Sequence, residues 1–355
     1  MTLPYNLVML AVDIAAIRLL GRRRGFWAWC GVMSVAGIVA VALGVVMGGC
    51  FENPFGIVRL WTYGLLLHGP VLLAATAIIR RRRWACAVAA VAAMLAMISV
   101  AAYAFLIEPH WLEVTHYRIA SRKISRPVRI VVVADLQTDN IGPYEREALR
   151  RAMAEKPDLL LFAGDYIQTP WKRQEALCRE LNDLLREIDI SAPLGVFAVR
   201  GNVDPHNWED IFQGTGATAV DIRQTFDLGT LRLTCLTLRD STSRDSMGVS
   251  SVAAKKGSDR YHIILGHVPN FALSDCGADL LIAGHTHGGQ VRLPWLGPII
   301  VNCEIPRRWA CGLSDLPGGG KLMVSRGVGM ERGFAPRFRF LCRPELVVID
   351  LAPEE

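Results

Sequence analysis

Asp135, Asp165, Asn202, His267 and His285 each close a short apolar run, and His287 follows His285 at a spacing of two. Four of those five junctions carry a glycine immediately before the polar residue, at positions 164, 201, 266 and 284. Taken singly, each residue has an ordinary explanation as a helix cap, an Asx turn or a satisfied polar group. As a set they combine carboxylate, amide oxygen and imidazole, a donor mixture suited to divalent manganese, iron or zinc. Two such ions sharing one carboxylate polarise a phosphoryl oxygen and generate hydroxide near neutral pH, so the chemistry expected is phosphoester hydrolysis.

Donors scattered over 150 residues converge only if a scaffold brings them together. From Val128 onward, β-branched runs alternate with amphipathic segments, the pattern of an α/β domain. Strands are expected at 128–135, 158–165, 194–202, 260–267, 278–285, 321–327 and 345–351. Helices are expected after Pro143 and over 175–188. The candidate donors then stand at the C-terminal ends of strands, the edge of an α/β sheet where ligands bind, and the glycines let the backbone turn without filling the cleft. Residues 241–259 read as a surface excursion.

The stretches "ADLQTD", "FAGDYI", "RGNVD", "LGHVPN" and "AGHTHGGQVRLP" resemble, in order and spacing, the motifs of the calcineurin-like metallophosphoesterases, and their extensions resemble the bacterial membrane-associated branch. The resemblance spans about residues 126–352. It implies a four-layer αββα sandwich holding two divalent metal ions, with hydrolysis by a hydroxide held between them. Asp165 would bridge the ions, Asp135 and His287 would hold the first, and Asn202, His267 and His285 the second, with Asn202 also orienting the phosphate.

Two positions depart from the family pattern. Gln137 replaces a metal-binding histidine; it either ligates through its amide oxygen, giving a weaker or differently selective first position, or serves only as a hydrogen-bonding group. Val203 replaces the histidine that serves the family as an acid, which favours a phosphoanhydride or activated diester over an alkyl monoester. His206, three residues further on beyond Pro205, is a candidate substitute. Among the arginines of the tail, 326, 332, 337 and 339, Arg326 is the candidate for phosphate because it directly follows a strand, while the others read as solvated surface groups.

The first third of the chain is built differently. Residues 27–49 and 84–107 contain no charged side chain and are long enough to cross a bilayer as helices. Residues 5–20 and 56–79 are weaker spans, interrupted by Asp13 and Arg18 and by Arg59 and His68. Arginine clusters at 22–24 and 80–83 mark the cytoplasmic loops, so everything after about residue 108 is expected on the periplasmic or extracellular face of the inner (plasma) membrane. The expected organisation is a transmembrane region over 1–108, a linker over 109–126 and the phosphoesterase domain over 127–355.

The net charge of +6 belongs to the membrane loops, since residues 1–125 hold 12 Lys and Arg against 4 Asp and Glu. The remainder is slightly acidic, which removes the case for a nucleic-acid partner. The nine cysteines show no zinc-ribbon spacing; Cys303 and Cys311 are the nearest pair for a disulfide, and scattered buried thiols are the alternative. The expected function is a membrane-anchored phosphodiesterase or pyrophosphatase with a lipid or lipid-linked substrate as one candidate. The rival reading is a degenerate relative acting as a metal-binding or regulatory membrane module.

Overall fold

The computed structural model describes residues 2–22, 25–49, 54–244 and 259–354. Two compact units divide the chain: Met1–Ile107 with Gly333–Arg337, and Glu108–Arg332 with Phe338–Glu355.

The first unit is helical. It contains α1 (Thr2–Arg22), α2 (Phe26–Gly49), α3 (Pro54–Tyr63), α4 (Gly69–Ile79) and α5 (Trp84–Ala102). A π-helical turn, Gly64–His68, joins α3 to α4, so that Phe55–Ile79 forms one long apolar helix. Among the described residues, four helices are thus long and apolar enough to cross a membrane, the last running on to His110. Their outward faces are apolar, as Leu7, Ile38, Val46, Ile78 and Leu95 illustrate. Asp13 and His68, which interrupt the first and third segments, prove to be partners: His68 Nδ1 lies 2.6 Å from Asp13 Oδ2, with both residues buried. Pairing lowers the cost of ionisable groups in apolar surroundings, which is why these two segments remain viable spans.

The second unit opens with β1 (Glu113–Ser121), β2 (Val128–Val133), α6 (Pro143–Ala154), β3 (Leu159–Phe162), α7 (Trp171–Ile188) and β4 (Val196–Val199). Next come β5 (Thr218–Val220), β6 (Gln224–Leu228), β7 (Leu231–Cys235), α8 (Leu238–Thr242), β8 (Tyr261–Leu265) and β9 (Leu280–Ala283). After a small ribbon of β10 (Arg292–Leu293) and β11 (Gly297–Pro298), the unit ends with β12 (Gly312–Asp315), β13 (Lys321–Val324) and β14 (Glu345–Pro353). One six-stranded sheet has the order β1-β14-β2-β3-β4-β5 and the other β12-β13-β9-β8-β7-β6.

Alternation along the strands assigns the layers. Ile130, Val132, Leu159, Leu161, Ile263, Leu265, Leu280, Ile282, Val347 and Ile349 share one core between the sheets. The intervening residues of the first sheet, among them Val131, Leu160 and Val348, pack under α6 and α7. The outer face of the second sheet is covered by shorter pieces, with Phe271 and Trp309 from 3-10 turns lying on Ile264, Leu281 and Leu322. The αββα order is therefore present, with one outer layer reduced.

The stretch expected as a linker is not one, because Glu113–Ser121 pairs in parallel with Glu345–Pro353 along its whole length. As an edge strand it buries only Ile119, so its sequence lacks the apolar run that marks an interior strand. Much of the expected surface excursion, residues 245–258, lies outside the described residues. Cys303 and Cys311 are free thiols, as are the other described cysteines.

Candidate metal centre

Each sequence-derived donor sits just past the C-terminal end of a parallel strand: Asp135 after β2, Asp165 after β3, Asn202 after β4, His267 after β8 and His285 after β9. The backbone there is strained. Asp135, Gln137, Asp165, His285 and His287 adopt φ values of 49°, 39°, 56°, 70° and 49°. Left-handed conformations at non-glycine residues cost about 1–3 kcal/mol each and concentrate where function requires a particular side-chain direction. Two glycines make the approach possible: a Cβ on Gly201 would fall 2.1 Å from Asp165 Oδ1, and one on Gly284 would fall 2.7 Å from Asp135 Oδ2.

Asp165, His267, His285 and Asn202 form a single group. The donor atoms of the first three lie within 4.8 Å of one another. Asn202 Oδ1 lies 2.9 Å from His267 Nε2 and 2.7 Å from His285 Nδ1, and His267 Nε2 is 3.3 Å from Asp165 Oδ2. The other nitrogen of each ring is committed to a backbone carbonyl: His267 Nδ1 donates to Ala163 O at 2.7 Å, and His285 Nε2 to Asn302 O at 3.1 Å. A carbonyl only accepts, so these contacts place the N–H of each neutral ring away from the cluster and leave its lone pair facing Asn202 and Asp165. Imidazole ligands of metals are oriented in this way. Acceptors crowded at such distances repel one another unless a positive charge lies among them, so these residues fit a divalent cation.

The electrostatics agree. Burial disfavours charge on His267, but Asp165 and Asp135 outweigh it and raise its pKa to about 9. Burial also works against ionised Asp165, yet His267 and the Val203 N–H hold its carboxyl below the usual range. Burial pushes Asp135 up to about 7, with His267 opposing the rise. Burial, reinforced by His267, depresses His285 to about 4, and burial with Arg339 holds His287 well below its ordinary value. Without a cation the carboxylates draw a proton onto His267 Nε2; a bound cation would take that proton's place and leave the ring neutral with its lone pair turned inward.

Asp135 and His287 flank this group. Both carboxylate oxygens of Asp135 accept from His285 N, at 2.9 and 3.0 Å, and Asp135 Oδ1 is 4.0 Å from His267 Nδ1. His287 is buried, and its Nδ1 has no hydrogen-bond partner. Gln137 is fully buried, and its Oε1 also lacks a partner. Val203 contributes its backbone N–H, donated to Asp165 Oδ1 at 3.0 Å. Arg326 is occupied by two carboxylates, Glu113 at 2.9 Å and Glu345 at 3.1 Å. His206 is exposed and has Nδ1 3.5 Å from Arg200 Nη2.

The tail arginines correct an expectation. Arg339 is fully buried and donates to the carbonyls of Arg326, Gly327, Gly329, His287 and Cys342. Arg332 donates from Nε to Gln137 O at 2.9 Å and from Nη1 to Asp139 at 2.8 Å. Five N–H groups in a rigid fork suit arginine to loop carbonyls that no helix or strand satisfies. Nothing in residue type separates such an arginine from a surface one.

Asp204 is a supporting residue of the candidate site that the sequence reading did not single out. Its carboxylate accepts from the N–H groups of Asp165 (2.9 Å), Tyr166 (2.6 Å) and Gly201 (2.7 Å), tying the Asp165 turn to the Asn202 turn. Its acidic place in "GNVD" is the signal that could have found it. Asn302, which acts through its carbonyl, leaves no side-chain signal.

Comparison with known proteins agrees with this geometry. Residues 128–289 match the family model of the calcineurin-like phosphoesterases. The chain is 29% identical to the uncharacterized metallophosphoesterase YkuE of Bacillus subtilis, over 70% of this chain and 88% of that protein. It is also 29% identical to the phosphodiesterase YaeI of Escherichia coli, over 77% of this chain and 99% of that one. The UDP-2,3-diacylglucosamine pyrophosphatase LpxG of Chlamydia trachomatis is 25% identical over 62% of this chain and 83% of its own length. With two packed α/β sheets and an oxygen and nitrogen donor cluster at their strand ends, the second unit of this chain has the metallophosphoesterase fold and is similar to the calcineurin-like phosphoesterases over residues 128–289.

Proposed function

We propose that this chain is a membrane-anchored, binuclear metal-dependent phosphoesterase that hydrolyses a phosphodiester or phosphoanhydride, with a lipid or lipid-linked substrate as the leading class. The observation that carries the reading is the convergence of lone pairs from His267, His285 and Asn202 on Asp165, each ring held by a carbonyl behind it. Asp165 would be shared between two cations, with Asn202, His267 and His285 the residues that would hold one, and Asp135, His287 and the Gln137 amide oxygen those that would hold the other. Bound there, manganese, iron or zinc ions supply Lewis acidity toward a phosphoryl oxygen and hydroxide near neutral pH.

The protein's own part is positional. Asp204 fixes the two turns that carry Asp165 and Asn202. Asn202, exposed at the mouth of the group, is placed to orient a substrate phosphate. With valine at 203 there is no acid at that position, so a leaving group that is already stable, such as a phosphate, suits the site better than an alkoxide. The pyrophosphatase named among the relatives and the four apolar helices both support a lipid-linked phosphoanhydride. The arginine loops favour a catalytic unit on the outer face, where a reporter fused after Glu355 is active only if exported.

Metal analysis of the full chain in detergent, with hydrolysis of bis-p-nitrophenyl phosphate in added manganese, tests the reading. Two ions per chain and turnover well above an Asp165→Asn control are expected. Fewer than two ions with no turnover above that control favours the alternative suggested by Gln137 and Val203, a metal-binding regulatory module.

A further inference from the structure

Gln137 is held by a network that sequence reading did not anticipate. Its Nε2 donates to Glu331 Oε2 at 3.1 Å and to Gln168 Oε1 at 3.2 Å. The neighbouring amide is itself fixed: Gln168 Nε2 donates to Glu331 Oε1 at 2.6 Å, and Gln168 Oε1 accepts from Arg332 N at 2.5 Å. Glu331 is anchored in turn, because its N–H donates to Gln290 Oε1 at 2.7 Å. The Gln137 backbone is fixed at both ends, its N–H donating to Asp165 O at 2.8 Å and its carbonyl accepting from Arg332 Nε.

The polarity of this network permits one amide orientation. A carboxylate can only accept, so Glu331 requires the NH2 groups of both glutamines, and turning the Gln137 amide over would set oxygen against oxygen. Gln137 Oε1 is left buried with no partner, as is the ring nitrogen His287 Nδ1. Leaving a buried carbonyl oxygen unpaired costs about 1–3 kcal/mol, so a network that enforces it calls for a compensating ligand.

On the binuclear reading proposed above, we infer that Glu331 and Gln168 lock Gln137 as a neutral oxygen ligand, making the first position a harder, manganese-preferring site beside a more nitrogen-rich second one. The first position then offers three oxygens, from Asp135, Gln137 and Asp165, and one nitrogen from His287. The second offers two oxygens, from Asp165 and Asn202, and two nitrogens. Imidazole favours zinc and iron, whereas carboxylate and amide oxygen suit manganese and magnesium. Zinc binds more tightly than manganese at most sites, so the difference is read as a ratio of affinities and not as exclusion. Glu331 and Gln168 are positioning residues, since they act on the metal only through Gln137.

The test uses full-length protein in detergent, stripped with chelator and titrated calorimetrically with Mn2+ and Zn2+ separately. It is then loaded with one equivalent of Zn2+ in excess Mn2+ for elemental analysis and Mn2+ electron paramagnetic resonance. Wild type is expected to hold one ion of each kind, with a zinc-to-manganese preference at least about tenfold smaller at the first position than at the second. Gln137→His should raise the first-position preference for zinc by about 10- to 100-fold and let zinc enter both positions. Glu331→Gln frees the Gln137 amide to turn over and should weaken the first Mn2+ by about 10- to 100-fold while leaving the second position intact. Circular dichroism and thermal melts confirm folding, and Gln137→His gives the answer independently if Glu331→Gln does not fold.

Two ions bound with equal zinc preference at both positions, unchanged by Gln137→His, overturns the inference and leaves the phosphoesterase reading standing. Fewer than two ions under every loading condition overturns both.

Discussion

The half of the cleft built from Asn202, His267 and His285 and the half built from Asp135, Gln137 and His287 rise from the same two sheets, but their donors are tied down differently. In the first, rigid backbone carbonyls hold each imidazole, and both inward ring nitrogens already lie within hydrogen-bonding distance of Asn202 Oδ1. In the second, Gln137 Oε1 and His287 Nδ1 stand buried without partners, and the groups that orient Gln137 are side chains, Glu331 and Gln168. Backbone carbonyls belong to the fold and cannot be substituted, whereas side-chain supports can change one residue at a time. The side-chain-supported half is also the half in which a histidine of the family pattern has become Gln137.

The sharpest way to break the comparison is to remove one nitrogen from each half. His285→Ala and His287→Ala should each release one ion and lower diester hydrolysis by about 10³-fold, as loss of a paired metal does. Elemental analysis after mixed loading should find zinc depleted in the first variant and manganese in the second; identical metal profiles would erase the distinction. Val203→His, which restores an acid to the carbonyl-supported half, should raise hydrolysis of an alkyl monoester by about 10²-fold and change that of an activated diester little, measured as kcat/KM on paired substrates. Asp204→Asn keeps the volume but weakens the acceptor that joins the Asp165 and Asn202 turns. It should lower affinity for both ions by about 10- to 100-fold, as loss of an outer support does, whereas an effect on one ion alone would place Asp204 in one half only.

The smallest effect concerns a histidine outside the cleft. His262 is as buried as His267, but its ring shares a hydrogen bond only with Thr234, at 2.8 Å, and burial followed by Arg232 lowers its pKa to about 4. Below pH 6.5 the unfolded chain binds a proton there that the folded chain refuses. Stability is therefore full above that value and is lost as pH falls toward 4, by at most about 2 kcal/mol after allowance for solvent screening. His262→Gln should flatten part of the decline in melting temperature between pH 6.5 and 4. An unchanged slope would show that the decline comes from the cleft and not from His262.

Interior strands were legible because burial on both faces writes continuous apolar runs, as in "VRIVVV" and "YHIIL". The edge strand β1, half-exposed and mixed in composition, was not, so its residues read as a linker. Asp135, Asp165, Asn202, His267, His285 and His287 were legible because strand-end position and residue type coincide. Asp204 and Arg339 were hidden because their partners are backbone groups, and Glu331 because its partner lies 194 residues away along the chain.

Residue order alone determined the apolar helices, the alternation that layers the sheets and the donor types at the strand ends, since each depends on local hydrophobic period or on chemical identity. Tertiary structure decided which ring nitrogen faces the cluster, why Asp13 is tolerated opposite His68, and which way the Gln137 amide points. Those outcomes depend on hydrogen-bond partners brought together from distant parts of the chain, and directional bonds between remote residues leave no period in a sequence.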